Sequence, residues 1–253
     1  MVISVSFLFL FLGMLKKIGR FIFRVFIAFI LLSVLSVVLF RYVPVPLTPL
    51  MLIRCVQQEI SGKPIVMYKS WQPISKISPH LQLAVVASED QNFISHMGFD
   101  VKAIEADIEY NKTHKIKRGA STISQQTAKN LFLWPSRSFI RKGFEVYFTF
   151  LIELFWSKER IMEVYLNVIE MGDGVYGAEA ASQYYFKKHA KDLTPYQAAS
   201  IASIIPDPVK WKLSNPPGFV IARQGWILQQ MSNLGGVLDY GAKDTLQVIK
   251  PGK

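Results

Sequence analysis

Two adjacent carboxylates, Glu89 and Asp90, close an apolar stretch made of Leu83, Ala84, Val85, Val86 and Ala87. Ser78-Pro79 supplies a cap followed by proline, so a helix is predicted over 81–90. A carboxylate at that end faces the negative pole of the helix dipole and lies beside apolar packing. Both make it a stronger proton acceptor, as a general base requires. A solvated helix end running into a polar loop is the plainer reading of the same residues.

Further along, Gly119-Ala120-Ser121-Thr122-Ile123-Ser124-Gln125-Gln126-Thr127-Ala128-Lys129-Asn130 opens another predicted helix, capped by Ser121 or Thr122. Backbone N–H groups at such a start favour an anion. Thr122, Gln126 and Lys129 share a face, with Gln125 and Asn130 flanking it. That face suits sugar hydroxyls and phosphate; an ordinary capped amphipathic helix explains it equally well. Lys112, Lys115, Lys117 and Arg118 precede it. Arg141, Lys142 and Glu145 follow, and Arg141–Glu145 at i, i+4 alone is a surface pair of about 0.3–0.5 kcal/mol. Its setting is unusual, since residues 139–156 are apolar on almost every side. Such a helix is buried or touches lipid. With Leu131, Phe132, Leu133 and Trp134 nearby, a membrane-dipping surface is expected. In the next predicted helix, from Ser157 through Asn167, Glu163, Tyr165 and Asn167 read most simply as structural polar contacts, as does Glu170. Gly172-Asp173-Gly174-Val175-Tyr176-Gly177 spells G-x-G-x-x-G. A helix precedes it, so no dinucleotide site is expected and the glycines read as turns.

The remaining signals are helical: Thr48-Pro49 to about Ile60, Gly177–Phe186, a capping box at Thr194 with a stop at Pro206, and Phe219–Met231. Residues 64–76 read as extended or irregular, and no period-2 strand series stands out. The fold class is mainly α. One cysteine, Cys55, excludes an intramolecular disulfide framework and any Cys-rich metal site. The four histidines show no paired spacing, which speaks against a histidine-built metal centre.

With 51% hydrophobic residues and a mean hydropathy of +0.25, the chain calls for a membrane segment. Residues 21–43 are that segment: Val25 to Phe40 is apolar except for Ser33 and Ser36, and Arg24 can snorkel. Lys16, Lys17, Arg20 and Arg24 precede most of it, which predicts a cytoplasmic N-terminus and an outward remainder. No A-x-A-like cleavage site follows, so an uncleaved anchor is expected. Residues 1–20 are expected to form the cytoplasmic N-terminus, of which 1–13 read as an upstream start-codon artefact or else as an interfacial segment. Residues 44–63 are expected to form a proline-stiffened linker and helix, and 64–253 one α-rich outward domain. The net charge is +11, and beyond residue 43 there are 24 basic and 18 acidic residues. That excess suggests an anionic partner, and the outward topology disfavours nucleic acid.

Taken together, E-D-x-x-F-x-x-H-x-G-x-D at 89–100, G-x-S-T-x-S-Q-Q-x-x-K-N at 119–130, R-K-x-x-E at 141–145, E-x-Y-L-N at 163–167 and A-A-x-x-A-x-x-x-P-x-P at 198–208 resemble the peptidoglycan glycosyltransferase family. The likeness covers roughly residues 65–231. The short anchored form is similar to the monofunctional biosynthetic transglycosylases of Gram-negative bacteria. No S-x-x-K occurs, so nothing corresponds to a penicillin-binding half. The resemblance implies a lysozyme-like two-lobed domain that polymerises lipid II into β-1,4-linked glycan strands, inverting at the donor's anomeric carbon and releasing undecaprenyl diphosphate. It implies the inner membrane, with the catalytic domain periplasmic. Its partners would be lipid II, the nascent strand, membrane lipid and other cell-wall synthesis proteins. Carried onto this chain, Glu89 is the base and Glu145 the second essential carboxylate. Gly119, Ser121, Thr122, Gln125, Gln126, Lys129, Asn130, Arg141 and Lys142 hold diphosphate and sugar. Asp90, Phe93, His96 and Gly98 shape the first motif. Glu163, Tyr165 and Asn167 join the binding set. No cofactor is required, and a divalent cation (Mg or Mn) is admitted at the diphosphate.

The residue chemistry fits on its own terms. A diphosphate leaves readily and needs cations more than a proton, whereas a hydrolase needs a carboxylic acid to protonate a poor leaving group. A lytic transglycosylase or muramidase would share a lone Glu without the Lys129, Arg141, Lys142 cluster. A non-catalytic glycan-binding scaffold would need neither carboxylate.

Overall fold

The computed structural model describes residues 5–114, 119, 121–136, 138–236 and 238–241, with side chains from residue 12 onward. Lys115, Lys117 and Arg118 of the basic run, and the first four residues, lie outside the described residues. The chain divides into two compact units at Val43/Pro44.

The first unit is helix α1 (Val5–Tyr42), in which the two apolar runs of the sequence join as one helix. Its portion Leu12–Tyr42 is long and apolar enough to cross a membrane. Thirty-one residues at about 1.5 Å each exceed the roughly 30 Å hydrocarbon core.

The second unit begins with α2 (Pro49–Ile60), where the Thr48 hydroxyl accepts from Met51 N. A two-residue strand, β1 (Tyr68–Lys69), leads through a short 3-10 turn to α3 (Pro79–Glu89). Then follow α4 (Val101–Thr113), α5 (Ile123–Phe132), α6 (Phe139–Phe155) and α7 (Lys158–Val168). A hairpin, β2 (Glu170–Gly172) and β3 (Val175–Tyr176), precedes α8 (Ala178–Phe186), α9 (Pro195–Ile204) and α10 (Gly218–Leu234). Expected caps at Ser78, Ser157 and Thr194 are all made. Of the two residues offered as cap for α5, Thr122 takes the role and forms a capping box with Gln125.

Seven consecutive residues of α3, Leu81 to Ala87, are buried. A helix apolar on all sides belongs at the centre of a packed group, and α3 packs against both α9 and α10. Each fully buried Leu or Val there contributes about 1.5–3 kcal/mol. A second group forms where α5 packs against α6 and α7.

Two elements depart from the sequence-based expectation. Helix α4 was not expected. It has no buried residue, so it lacks the apolar stripe by which a helix is recognised, and Asp100 caps it by accepting from Ala103 N at 2.9 Å. The strands β1-β3-β2 form a small sheet, with β1 parallel and β2 antiparallel to β3. Strands of two or three residues are too short to display alternation. The G-x-G-x-x-G run therefore follows and includes strand rather than helix alone. It makes a hairpin with no βαβ unit, and Gly174 turns it at φ +72. A Cβ on Gly174 would lie 2.4 Å from the Val66 carbonyl oxygen.

Helix α6 is buried along one face and leaves apolar side chains exposed along the other. Glu145, Phe148, Thr149, Leu151, Ile152 and Glu153 are buried, whereas Phe139, Ile140, Val146, Phe150 and Leu154 are exposed.

Candidate active site

A cleft of about 1350 Å³ is lined by the end of α3, the start and inner face of α5, part of α4, the 205–211 segment and α10. Glu89 is the last residue of α3 and enters this cleft. Its Oε2 accepts from Gln126 Nε2 at 3.1 Å. Its Oε1 accepts from Arg223 Nη2 at 3.0 Å and from the Ser88 hydroxyl at 3.3 Å. The nearest neighbours of the carboxylate oxygens are thus donors, in place of the apolar surroundings the sequence suggested.

Asp90 makes a separate set of bonds. Its carboxylate takes His96 Nε2 at 2.9 and 3.0 Å and the Ile123 backbone N–H at 3.0 Å. The last bond ties the first motif to the first residue of α5. A second tie runs from the Thr122 hydroxyl to Gly98 O at 2.7 Å. Gly98 sits at φ +80, and a Cβ there would meet Thr149 Cγ2 at 2.8 Å and Glu153 Cγ at 2.9 Å. Only glycine allows the 96–100 turn to lie so close to α6. Phe93 is fully buried, with the Lys158 ammonium 4.7 Å from its ring centre. Lys158 pairs with Glu153 at 2.7 Å, and Glu153 accepts from the Ser124 hydroxyl. These residues shape the motif from beneath.

Gly119, Ser121 and Thr122 before α5, and Gln126, Lys129 and Asn130 on it, line the cleft together with Glu89 and Asp90. Gln125 does not. Its side chain accepts from Thr122 N at 3.0 Å and completes the cap. Burial pushes the Lys129 ammonium below the usual lysine range; Glu145 opposes that shift, Arg141 and Lys142 reinforce it, and Glu89 opposes it. Lys129 therefore feels both candidate carboxylates.

Glu145 is 2% exposed and takes Arg141 Nη1 and Lys142 Nζ, each at 2.5 Å. The pair that looks like a surface i, i+4 contact in sequence is a buried carboxylate with two cations. None of these three lines the cleft around Glu89.

Glu163 and Asn167 face elsewhere. Glu163 accepts from Ile74 N at 2.9 Å and pairs with Arg160. Asn167 accepts from Gln72 N and donates to Gln72 O, both at 2.8 Å. Both brace the 72–74 segment, which matches the structural-contact reading of these residues. Tyr165 is fully buried and donates to Gln126 Oε1 at 3.2 Å. Glu170 does line the cleft, 3.4 Å from Arg54 Nε on α2, and burial raises its carboxyl above the usual range.

Arg223 has no place in the sequence reading. It is the one basic residue between Lys212 and Lys243, a signal available in the sequence. Trp211 and Trp226 also line the cleft.

The transglycosylase family model matches residues 58–232. A biosynthetic peptidoglycan transglycosylase of Bdellovibrio bacteriovorus is 53% identical over 217 residues, covering 86% of this chain and 87% of that protein. One of the same name from Pseudomonas putida (strain W619) is 54% identical over 204 residues, covering 81% and 86%. Another, from Bacteroides thetaiotaomicron, is 53% identical over 217 residues, covering 86% and 88%. The chain belongs to the transglycosylase family. The matched span contains the whole cleft apart from Leu50, including Glu89, Lys129 and Arg223, and it contains Glu145.

Proposed function

We propose that this chain is a peptidoglycan glycosyltransferase that polymerises lipid II into β-1,4-linked glycan strands. The observation that carries the reading is Glu89 and Lys129 facing one cleft in a member of the transglycosylase family. Glu89 takes the proton of the acceptor's 4-hydroxyl. The freed oxygen attacks the donor's anomeric carbon from the face opposite the diphosphate. The new C–O bond forms as the C1–O(phosphate) bond breaks, so configuration inverts and undecaprenyl diphosphate departs. Lys129 meets the charge that develops on that leaving group, the step where a fixed cation is worth most. Ser121, Gln126 and Asn130 offer polar atoms to the sugars. Arg141 and Lys142 hold Glu145, which keeps two further cations near Lys129.

No cofactor is required in this reading. A divalent cation (Mg or Mn) at the diphosphate would take ligands from phosphate oxygens, because among the described residues no three of His, Cys, Asp and Glu are grouped to hold a metal.

The anchor and the apolar outer face of α6 suit a lipid-linked substrate. The basic residues Lys16, Lys17, Arg20 and Arg24 support a single-pass inner-membrane topology with the N-terminus cytoplasmic and the catalytic unit periplasmic.

The test uses full-length protein in detergent with labelled lipid II. The expected product is a ladder of polymer digestible by muramidase. Glu89→Gln is expected to abolish it, a loss of at least roughly 10²-fold, while lipid II binding survives. Fragment release from preformed glycan, with no polymer, would sink the synthase reading.

A further inference from the structure

Tyr165 is fully buried, so it cannot touch substrate, yet its hydroxyl ends in the site through another side chain. The hydroxyl donates to Gln126 Oε1 at 3.2 Å. The other end of the same amide, Gln126 Nε2, donates to Glu89 Oε2 at 3.1 Å and to Ser121 O at 3.4 Å. Burial raises the Tyr165 phenol well above its usual range, and the Glu89 and Asp90 charges add to this. The phenol therefore stays a neutral O–H donor.

We propose that Tyr165 is a positioning residue for Glu89, acting through Gln126 by anchoring the far end of the amide that faces the carboxylate. An amide has two orientations of almost the same shape and opposite polarity. Reversed, Gln126 would set its oxygen against two acceptors, Glu89 Oε2 and Ser121 O. Glu89 Oε2 and Ser121 O therefore set the orientation, and the Tyr165 hydroxyl anchors the far end of the amide in it. Held there, Oε2 of Glu89 is aimed from the α5 side while Arg223 holds Oε1 from the α10 side. A base aimed in advance needs no rearrangement when the acceptor hydroxyl arrives. Tyr165 sits on α7, which packs directly on α5, so the relay crosses one helix–helix contact.

The inference rests on Glu89 being the base, and the experiment separates the two. Full-length Tyr165→Phe, Gln126→Ala, the double variant and Glu89→Gln are assayed with lipid II below the melting temperature of every variant. Tyr165→Phe is expected to lower kcat roughly tenfold with KM unchanged, because it leaves the cleft wall intact. The double variant is expected to be no slower than Gln126→Ala alone, since the tyrosine acts through that amide. A wild-type kcat in Tyr165→Phe, a raised KM with kcat unchanged, or losses that multiply in the double variant would overturn the relay. Polymerisation by Glu89→Gln would instead overturn the reading of the base.

Discussion

Arg223 reaches Glu89 across 134 positions of sequence, with Nη2 3.0 Å from Oε1. The Arg223 side chain is 29% exposed and that of Glu89 12%, so the pair is partly screened and partly buried. Arg223 comes from α10 and Glu89 from the end of α3, two helices that pack against each other. The contact therefore joins the packing of one helical group to the aim of the proposed base. Arg223→Ala is expected to lower kcat roughly ten- to a hundredfold, about 1.4–2.7 kcal/mol in the barrier. Arg223→Lys should recover part of this, because a lysine keeps the charge but loses the planar fork. Steady-state kinetics on both variants decides it; an unchanged kcat in Arg223→Ala removes the arginine from the site.

Lys129 must be charged to meet a departing diphosphate. It is charged below its pKa, and burial places that pKa below the usual lysine range. Activity should therefore fall on the alkaline side earlier than an ordinary lysine would allow. Lys129→Arg should remove that limb, since a guanidinium stays charged. Lys129→Ala should cost roughly 10²–10³-fold in kcat, the loss typical of one preorganised donor. A pH–rate profile whose alkaline limb survives in Lys129→Arg would assign that limb to another group.

Gly98→Ala should destabilise the fold. The added methyl meets Thr149 and Glu153 below 3.0 Å, and the backbone sits at φ +80. A strained positive φ alone costs about 1–3 kcal/mol. In a unit of this size the melting temperature should drop by about 2–4 °C per kcal/mol. Calorimetry on the full chain measures it, and an unshifted melting point would show that the turn can move away from α6.

Phe150 and Leu154 are about 60% exposed on the outer face of α6. Phe150→Ser with Leu154→Ser should leave stability within about 0.5 kcal/mol, as surface changes do. Turnover of a long-chain lipid-linked substrate in vesicles should fall, while that of a short-chain, water-soluble analogue should not. Equal losses on both substrates would place these side chains in folding rather than in lipid contact.

Much of this protein was legible before any fold was drawn. Ser78, Thr122, Ser157 and Thr194 announce their helices because a cap is a local bond between a side chain and a backbone two or three residues on. The apolar run ending at Glu89 and the amide–lysine face of α5 are visible for the same local reason. What stayed hidden depended on distance along the chain. Helix α4 buries nothing, so it has no stripe to read, and the sheet pairs Tyr68 with Val175, residues that no local pattern connects. Arg141–Glu145 looks like a solvated pair until α6 packs on α5 and buries it. Thr122 and Gln125 look like ligand-binding groups, and the fold spends the second of them wholly on the cap. Arg223, Tyr165 and Gln126 converge on Glu89 only after α10, α7, α5 and α3 are packed. Sequence by itself determined which residue types were available and which helices would carry them, because both follow from short-range bonding and periodicity. Tertiary structure alone decided which of those residues meet at one carboxylate, because side-chain directions from four helices are set by how the helices pack.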